Sequence, residues 1–160
     1  MTDWTTPRTY VIGETITKSI LDTHIRDNEN YLKEQVDLKA SLTGVETLTN
    51  KRVRPRVGTI TSAATPTINI NTLDMFTITA LATNITSMST NLNGTPTEGQ
   101  KFIIRIKDNG TPRSITWGSS YASRGATLPT TTVAAKTTYV GLIYNDAEST
   151  WDCIASVTEV

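Results

Sequence analysis

The sequence predicts a mainly β protein with an N-terminal helix: an antiparallel β-sandwich or jelly-roll-like head preceded by a helical stem. Three observations carry this. Residues 1 to 56 hold 17 of the 30 charged side chains, whereas the remaining 104 residues hold 13. Threonine, a poor helix former that suits strands, accounts for 32 residues, and 22 of them lie after Arg56. The apolar period also changes there from three-and-four spacing to strict alternation.

The chain opens with residues 1–14, in which Trp4, Tyr10, Val11 and Ile12 accompany Pro7 and Gly13. This arm is apolar enough to bury and too irregular to fold alone, so it is expected to order on something else. A large aromatic such as Trp4 buries much area at small entropic cost. Trp4, Pro7, Tyr10, Val11 and Ile12 are therefore the candidate docking residues, the alternative being that the arm folds back over its own assembly.

Residues 15–50 form the expected helical stem. Thr15 or Thr17 can cap it, and KSILDTHIRDNENYLKEQVDLKASL runs on without proline or glycine. Leu21, Ile25, Asn28 and Leu32 follow a seam spacing, and Leu38, Leu42 and Val45 give a second short one after a slip. So thin a stripe cannot stabilise a helix alone and needs a partner, either the chain's own β-domain or further copies of the chain; for the latter, these seven residues are the candidate oligomerisation positions. Asn28 reads either as a register device within the seam or as a solvent-facing residue. His24, the only histidine, has no second ligand beside it that would make a metal site.

At residues 51–57, KRVRPRV places Lys51, Arg52, Arg54 and Arg56 around Pro55. The segment reads as a junction rather than an anion site. Proline stops the helix and holds Arg54 extended. From 58 to 160 the head alternates: Ile68 with Ile70, Phe76 with Ile78 and Ala80, and Phe102 with Ile104 and Ile106. Val140, Leu142 and Tyr144 form a further face, as do Trp151, Cys153, Ala155 and Val157. The turns NGTPTEG, KDNGTP and YNDAESTW separate these strands.

Composition excludes several functions. A formal net charge of zero gives no global attraction to nucleic acid, and no apolar run approaches the roughly 18 residues of a membrane span. The start lacks a Sec-type signal, so a soluble, cytosolically made protein is expected. The single cysteine, Cys153, rules out an intrachain disulfide framework and reads as a small core residue. NGTPTEGQK lacks phosphate-loop spacing, and no pair of carboxylates forms a glycosidase motif. No enzyme activity, cofactor or metal is expected. In ITWGSSYASRG, Trp117, Tyr121 and Arg124 are the candidate sugar contacts. Trp117, two residues from Ile115, is read as facing the core, leaving Tyr121 and Arg124 as the exposed members.

The opening WTTPRTYVIGETITKSILDTHIRDNENYLKE resembles the N-terminal segment of small tailed-bacteriophage structural proteins, which begin W-x-x-P-R-x-x-x-x-G-E and continue into L-x-x-H-x-R-D-N. LTNKRVRPRVGTITSAATPTINI, GQKFIIRIKDNGTPRSITW, LPTTTV and YVGLIYNDAESTWDC are similar to a C-terminal β-domain recurring in phage fibre, decoration and minor virion proteins. The resemblance implies a virion surface component, made in the bacterial host cytoplasm and commonly trimeric. Its partners would be further copies of itself, phage capsid or tail proteins and, for a fibre tip, a host cell-surface glycan. A capsid decoration or short head fibre is the expected function. A tail-fibre or receptor-binding module is the alternative, and a polysaccharide-degrading enzyme comes third.

Overall fold

The computed structural model describes residues 5–6, 9, 11–37 and 52–160. The chain divides between Arg52 and Val53 into a helical unit and a β unit. The boundary falls inside the basic segment, and strand β1 (Val57–Ile60) begins one residue before the expected head span.

In the helical unit, Thr17 is the cap: its hydroxyl accepts a hydrogen bond from the Ile20 amide at 3.3 Å. Helix α1 (Lys18–Leu21) runs into a π-helical turn (Asp22–Arg26) and then α2 (Asp27–Asp37). A π turn holds about one residue more than an α turn, which rotates the downstream residues by about 100° around the axis. The seam inferred from unbroken helical spacing is therefore interrupted. Leu21, Ile25, Leu32 and Val36 are exposed, whereas Asn28 is buried. Leu38, Leu42 and Val45 lie outside the described residues.

The β unit adds β2 (Ile68–Asn69), β3 (Met75–Leu81), β4 (Leu92–Asn93), β5 (Lys101–Asp108), β6 (Tyr121–Ser123), β7 (Thr137–Asn145) and β8 (Thr150–Thr158). Six strands make one sheet in the order β1-β3-β5-β7-β8-β6, and β2 and β4 make a second. The expected antiparallel arrangement is not the one that forms. β1 with β3, β3 with β5, β2 with β4 and β6 with β8 are all parallel; only β5 with β7 and β7 with β8 are antiparallel. The chain leaves β1, crosses β2 and returns as β3, then crosses β4 and returns as β5. This is a solenoid-like winding closed by the β7–β8 hairpin, with Ile85 and Ile115 bridging in parallel on a further side. Alternation reports one buried face in either strand orientation, so it could not distinguish these pairings.

Ladder neighbours stack inside the coil. Phe76 lies beside Ile104 and Ile104 beside Val140, while Ile78 lies beside Ile106. All are buried, together with Ile68, Ile70, Leu81, Ile85, Met88 and Leu142. Each such side chain contributes roughly 1.5–3 kcal/mol on burial. Phe102 and Tyr144 pack on Trp151 with ring centroids 5.7 and 5.2 Å away.

Two register shifts alter the expected faces. After Ile78 the pairing slips, so Leu81 rather than Ala80 enters the core. Between Cys153 and Ala155, Ile154 is the extra residue opposite β7. Trp151 and Cys153 point inward as expected, but the bulge sends Ala155 and Val157 outward, correcting the single face read from the sequence.

The basic junction is anchored at its last cation. Arg56 pairs with Asp74 (Nη2 to Oδ1, 2.7 Å), and its Nη1 donates to the Asn71 carbonyl at 2.7 Å. The Arg56 amide also donates to Asp74 Oδ2 at 2.8 Å. Hydrogen bonds from the Arg56 side chain and backbone hold the Asp74 carboxyl at about 2, against the opposing effect of its partial burial, with the Arg56 charge adding to them. A depressed carboxylate stabilises the fold above its unfolded value, and that contribution is lost as pH falls through the folded value. The β unit is therefore expected to melt at lower temperature as pH drops from about 4 to about 2. Asp74→Asn should shrink that acid-dependent loss in a calorimetric pH series; an unchanged acid limb would contradict the role of this pair.

Candidate functional site

The N-terminal motif residues act together. Gly13 has a φ of 86°, a conformation that favours glycine, and so closes a turn. Glu14 secures the turn: its amide donates to the Val11 carbonyl at 3.0 Å and its carboxylate accepts from the Val11 amide at 3.2 Å. Val11 and Ile12 are thereby left projecting into solvent, Ile12 fully so. Trp4, Pro7 and Tyr10 lie outside the described residues.

Asn28 corrects the seam assignment. Its Oδ1 accepts from the Thr5 amide and its Nδ2 donates to the Thr5 carbonyl, each at 2.9 Å; Nδ2 also donates to the His24 carbonyl at 3.3 Å. A side-chain amide is both donor and acceptor, so it can satisfy both backbone groups of one residue. Asn28 is thus neither a seam residue nor a solvent-facing one: it ties the arm to its own helix. The contact could not be read from spacing, since 23 residues separate the partners. His24 Nδ1 is buried without a hydrogen-bond partner. No cluster of His, Cys, Asp and Glu that could hold a metal occurs among the described residues, and none of their helices is long and apolar enough to cross a membrane.

On the β unit, the structure separates the expected sugar contacts. Trp117 is buried, with Nε1 donating to the Pro129 carbonyl at 2.8 Å. Tyr121, expected to be exposed, is buried as well, edge-on to Trp117 at 5.2 Å. It enters the core because it starts β6, beside Trp151. Burial pushes its phenol above the ordinary value, and its hydroxyl has no hydrogen-bond partner. Arg124 alone of the three is exposed, and it faces carboxylates: Nη2 to Glu148 at 3.4 Å and Nε to Asp152 at 3.7 Å. Cys153 is buried, and burial raises its thiol.

The β unit carries another concavity that residue patterns did not reveal. A pocket of about 210 Å³ opens between the 92–96, 118–120 and 144–151 segments, lined by Ile70, Leu92, Gly94, Pro96, Ser120, Tyr144, Ser149 and Trp151. Tyr144 supplies a half-buried aromatic wall backed by Trp151. Gly94, at φ 106°, keeps the floor open; a Cβ there would come within 2.9 Å of Ile70 and Asn71 side-chain atoms. Glu98 accepts from the Asp146 amide at 2.6 Å, and Gln100 donates to the Ile70 carbonyl at 3.1 Å, fixing two of the flanking loops. An aromatic wall with serines on the rim can receive a small polar ring.

Comparison with protein-family models, curated proteins and solved structures returned no match. Function therefore rests on the residues themselves and on the resemblance carried by their motifs.

Proposed function

We propose that this chain is a structural protein of a tailed-phage virion: a homotrimeric capsid decoration or short head fibre, docked through its N-terminal arm with the β unit projecting. The observation that carries this reading is the contrast between the two units. The β unit buries a continuous apolar core, whereas the helix leaves Leu21, Ile25, Leu32 and Val36 exposed. Such a helix calls for a partner, and a trimeric stem would supply one. Thr5 is tethered to Asn28, and among the described arm residues the exposed apolar pair Val11 and Ile12 supports the arm as the docking element.

Light scattering coupled to size exclusion should give about three chains per particle, and a clean monomer would exclude the stem assignment. Particles lacking the protein should bind the wild type. Ile12→Asp or deletion of residues 1–14 should abolish binding without changing particle mass. Undiminished docking by the truncated chain would place the virion contact elsewhere.

The alternative, a receptor-binding tip recognising a host glycan, is favoured by one observation only, the Tyr144 pocket. It replaces Trp117 and Tyr121, whose burial removes them from any ligand's reach.

A further inference from the structure

A groove of about 190 Å³ crosses β3, β5 and β7 on the outer side of the six-stranded sheet, lined by Thr77, Thr79, Arg105, Lys107, Thr137 and Tyr139. Three of these side chains are already engaged within the chain. The Lys107 ammonium donates to the Ala135 carbonyl at 2.7 Å and pairs with Glu159 at 3.4 Å. Thr79 Oγ1 donates to the Ile60 carbonyl at 3.2 Å, and Thr137 is bonded to Glu159, its amide donating at 2.8 Å. Two polar groups are left over, and they are neighbours. Thr77 pairs with Arg105 in the ladder, and Arg105 with Tyr139. Thr77 lies between Phe76 and Ile78, which face the core, so its side chain stands on the outer side beside Arg105. It is 2% exposed, and its Oγ1 is buried without a hydrogen-bond partner. The half-buried Arg105 guanidinium makes no hydrogen bond or ion pair with any of the described residues.

Both groups call for the same kind of partner. A buried hydroxyl is rarely left unpaired, because no water compensates it. A guanidinium partly withdrawn from water is best matched by a carboxylate or phosphate, whose oxygens fit its planar fork. The surroundings favour an anion as well. Lys101, Arg105 and Lys107 alternate along the outer side of β5, and β3 and β7 on either side contain no charged residue. Glu159, at the Lys107 end, is matched by that lysine, which leaves Arg105 as the anchor. Tyr139, 41% exposed, sets an aromatic ring beside the guanidinium on the side away from Thr77. The volume lies below the roughly 300 Å³ at which drug-sized pockets begin, so it suits a ligand of one ring. We propose that this groove binds a single sugar ring bearing a carboxylate or a phosphate. Arg105 holds the anion, the ring rests on Tyr139, and Thr77 is the second donor, reached as the Arg105 side chain turns toward the ligand. The site lies toward the opposite end of β7 from the Tyr144 pocket and does not depend on the virion assignment.

The test is calorimetric titration of the full-length chain at low ionic strength with glucuronate, glucose 6-phosphate, glucose and inorganic phosphate. At least one of the two acidic sugars should bind, and the preference between them tells carboxylate from phosphate; glucose should not bind. Arg105→Met, which keeps the aliphatic stem, should weaken that binding about tenfold or more. Arg105→Lys keeps the charge without the fork and should fall between, which guards against a methionine variant that fails to fold. Thr77→Val should weaken binding severalfold while raising the melting temperature, since it removes a hydroxyl that the free chain leaves unsatisfied. A threonine with only a structural role would not couple the two. Failure of both acidic sugars to bind, equal binding of glucose or of free phosphate, or affinity unchanged by Arg105→Met or by Thr77→Val overturns the proposal.

Discussion

Trp151→Ala is expected to destabilise the β unit by about 3–5 kcal/mol, the usual cost of truncating a large buried aromatic. Trp151 is 1% exposed and contacts both Phe102 on β5 and Tyr144 on β7. Its amide also donates to the Ser120 carbonyl at 2.8 Å, just before β6. The side chain therefore joins the antiparallel hairpin to the parallel coils, and its loss leaves a cavity that rigid strands on several sides cannot close. Loss of the Tyr144 pocket wall should accompany the loss of stability. Denaturant unfolding followed by far-UV circular dichroism measures the first effect. A change below about 1 kcal/mol would mean that the site collapses around the vacancy.

The second large effect is expected at Asp108. This carboxylate is 2% exposed and accepts from Thr132 Oγ1 at 2.5 Å, from the Gly110 amide at 2.7 Å and from the Ala135 amide at 3.0 Å. Burial alone would raise its pKa, but these hydrogen bonds, with the Arg113 charge, hold it below the ordinary value. Ala135 has a φ of 57°, a conformation an alanine rarely adopts, so the carboxylate also pins a strained turn. Asp108→Ala leaves three donors without their acceptor and should cost about 2–4 kcal/mol. Asp108→Asn keeps an oxygen but not the charge, and about half that loss is expected. Both are read from denaturant midpoints at neutral pH. Because the carboxyl is depressed, the wild-type advantage over Asp108→Asn should be full above about pH 4 and fade as pH falls through its folded value. A pH-independent difference would assign the stabilisation to shape rather than charge.

The sequence by itself determined the parts that depend on near neighbours. The helix cap was narrowed to Thr15 or Thr17, and Thr17 takes the place because its hydroxyl reaches an amide three residues on; Phe102, Ile104 and Ile106 share a buried face because alternate residues on any strand do. The change of composition at the basic segment located the boundary between the units to within a few residues. Only the tertiary structure decided the features that depend on distant partners. Parallel and antiparallel ladders impose the same alternation, so the solenoid-like winding had no local signature. One extra residue, Ile154, reversed the faces of Ala155 and Val157, because side-chain direction has a period of two and a single insertion inverts it. Tyr121 looked exposed beside serines and glycine, yet pairing of β6 with β8 carries its ring inside. Asn28 read either as a seam residue or as a solvent-facing one, yet Thr5, 23 residues away, lies against it. Periodicity records which face a residue occupies within its own element; the cover over that face is fixed by contacts far apart along the chain, and those are set by how the whole chain closes around its core.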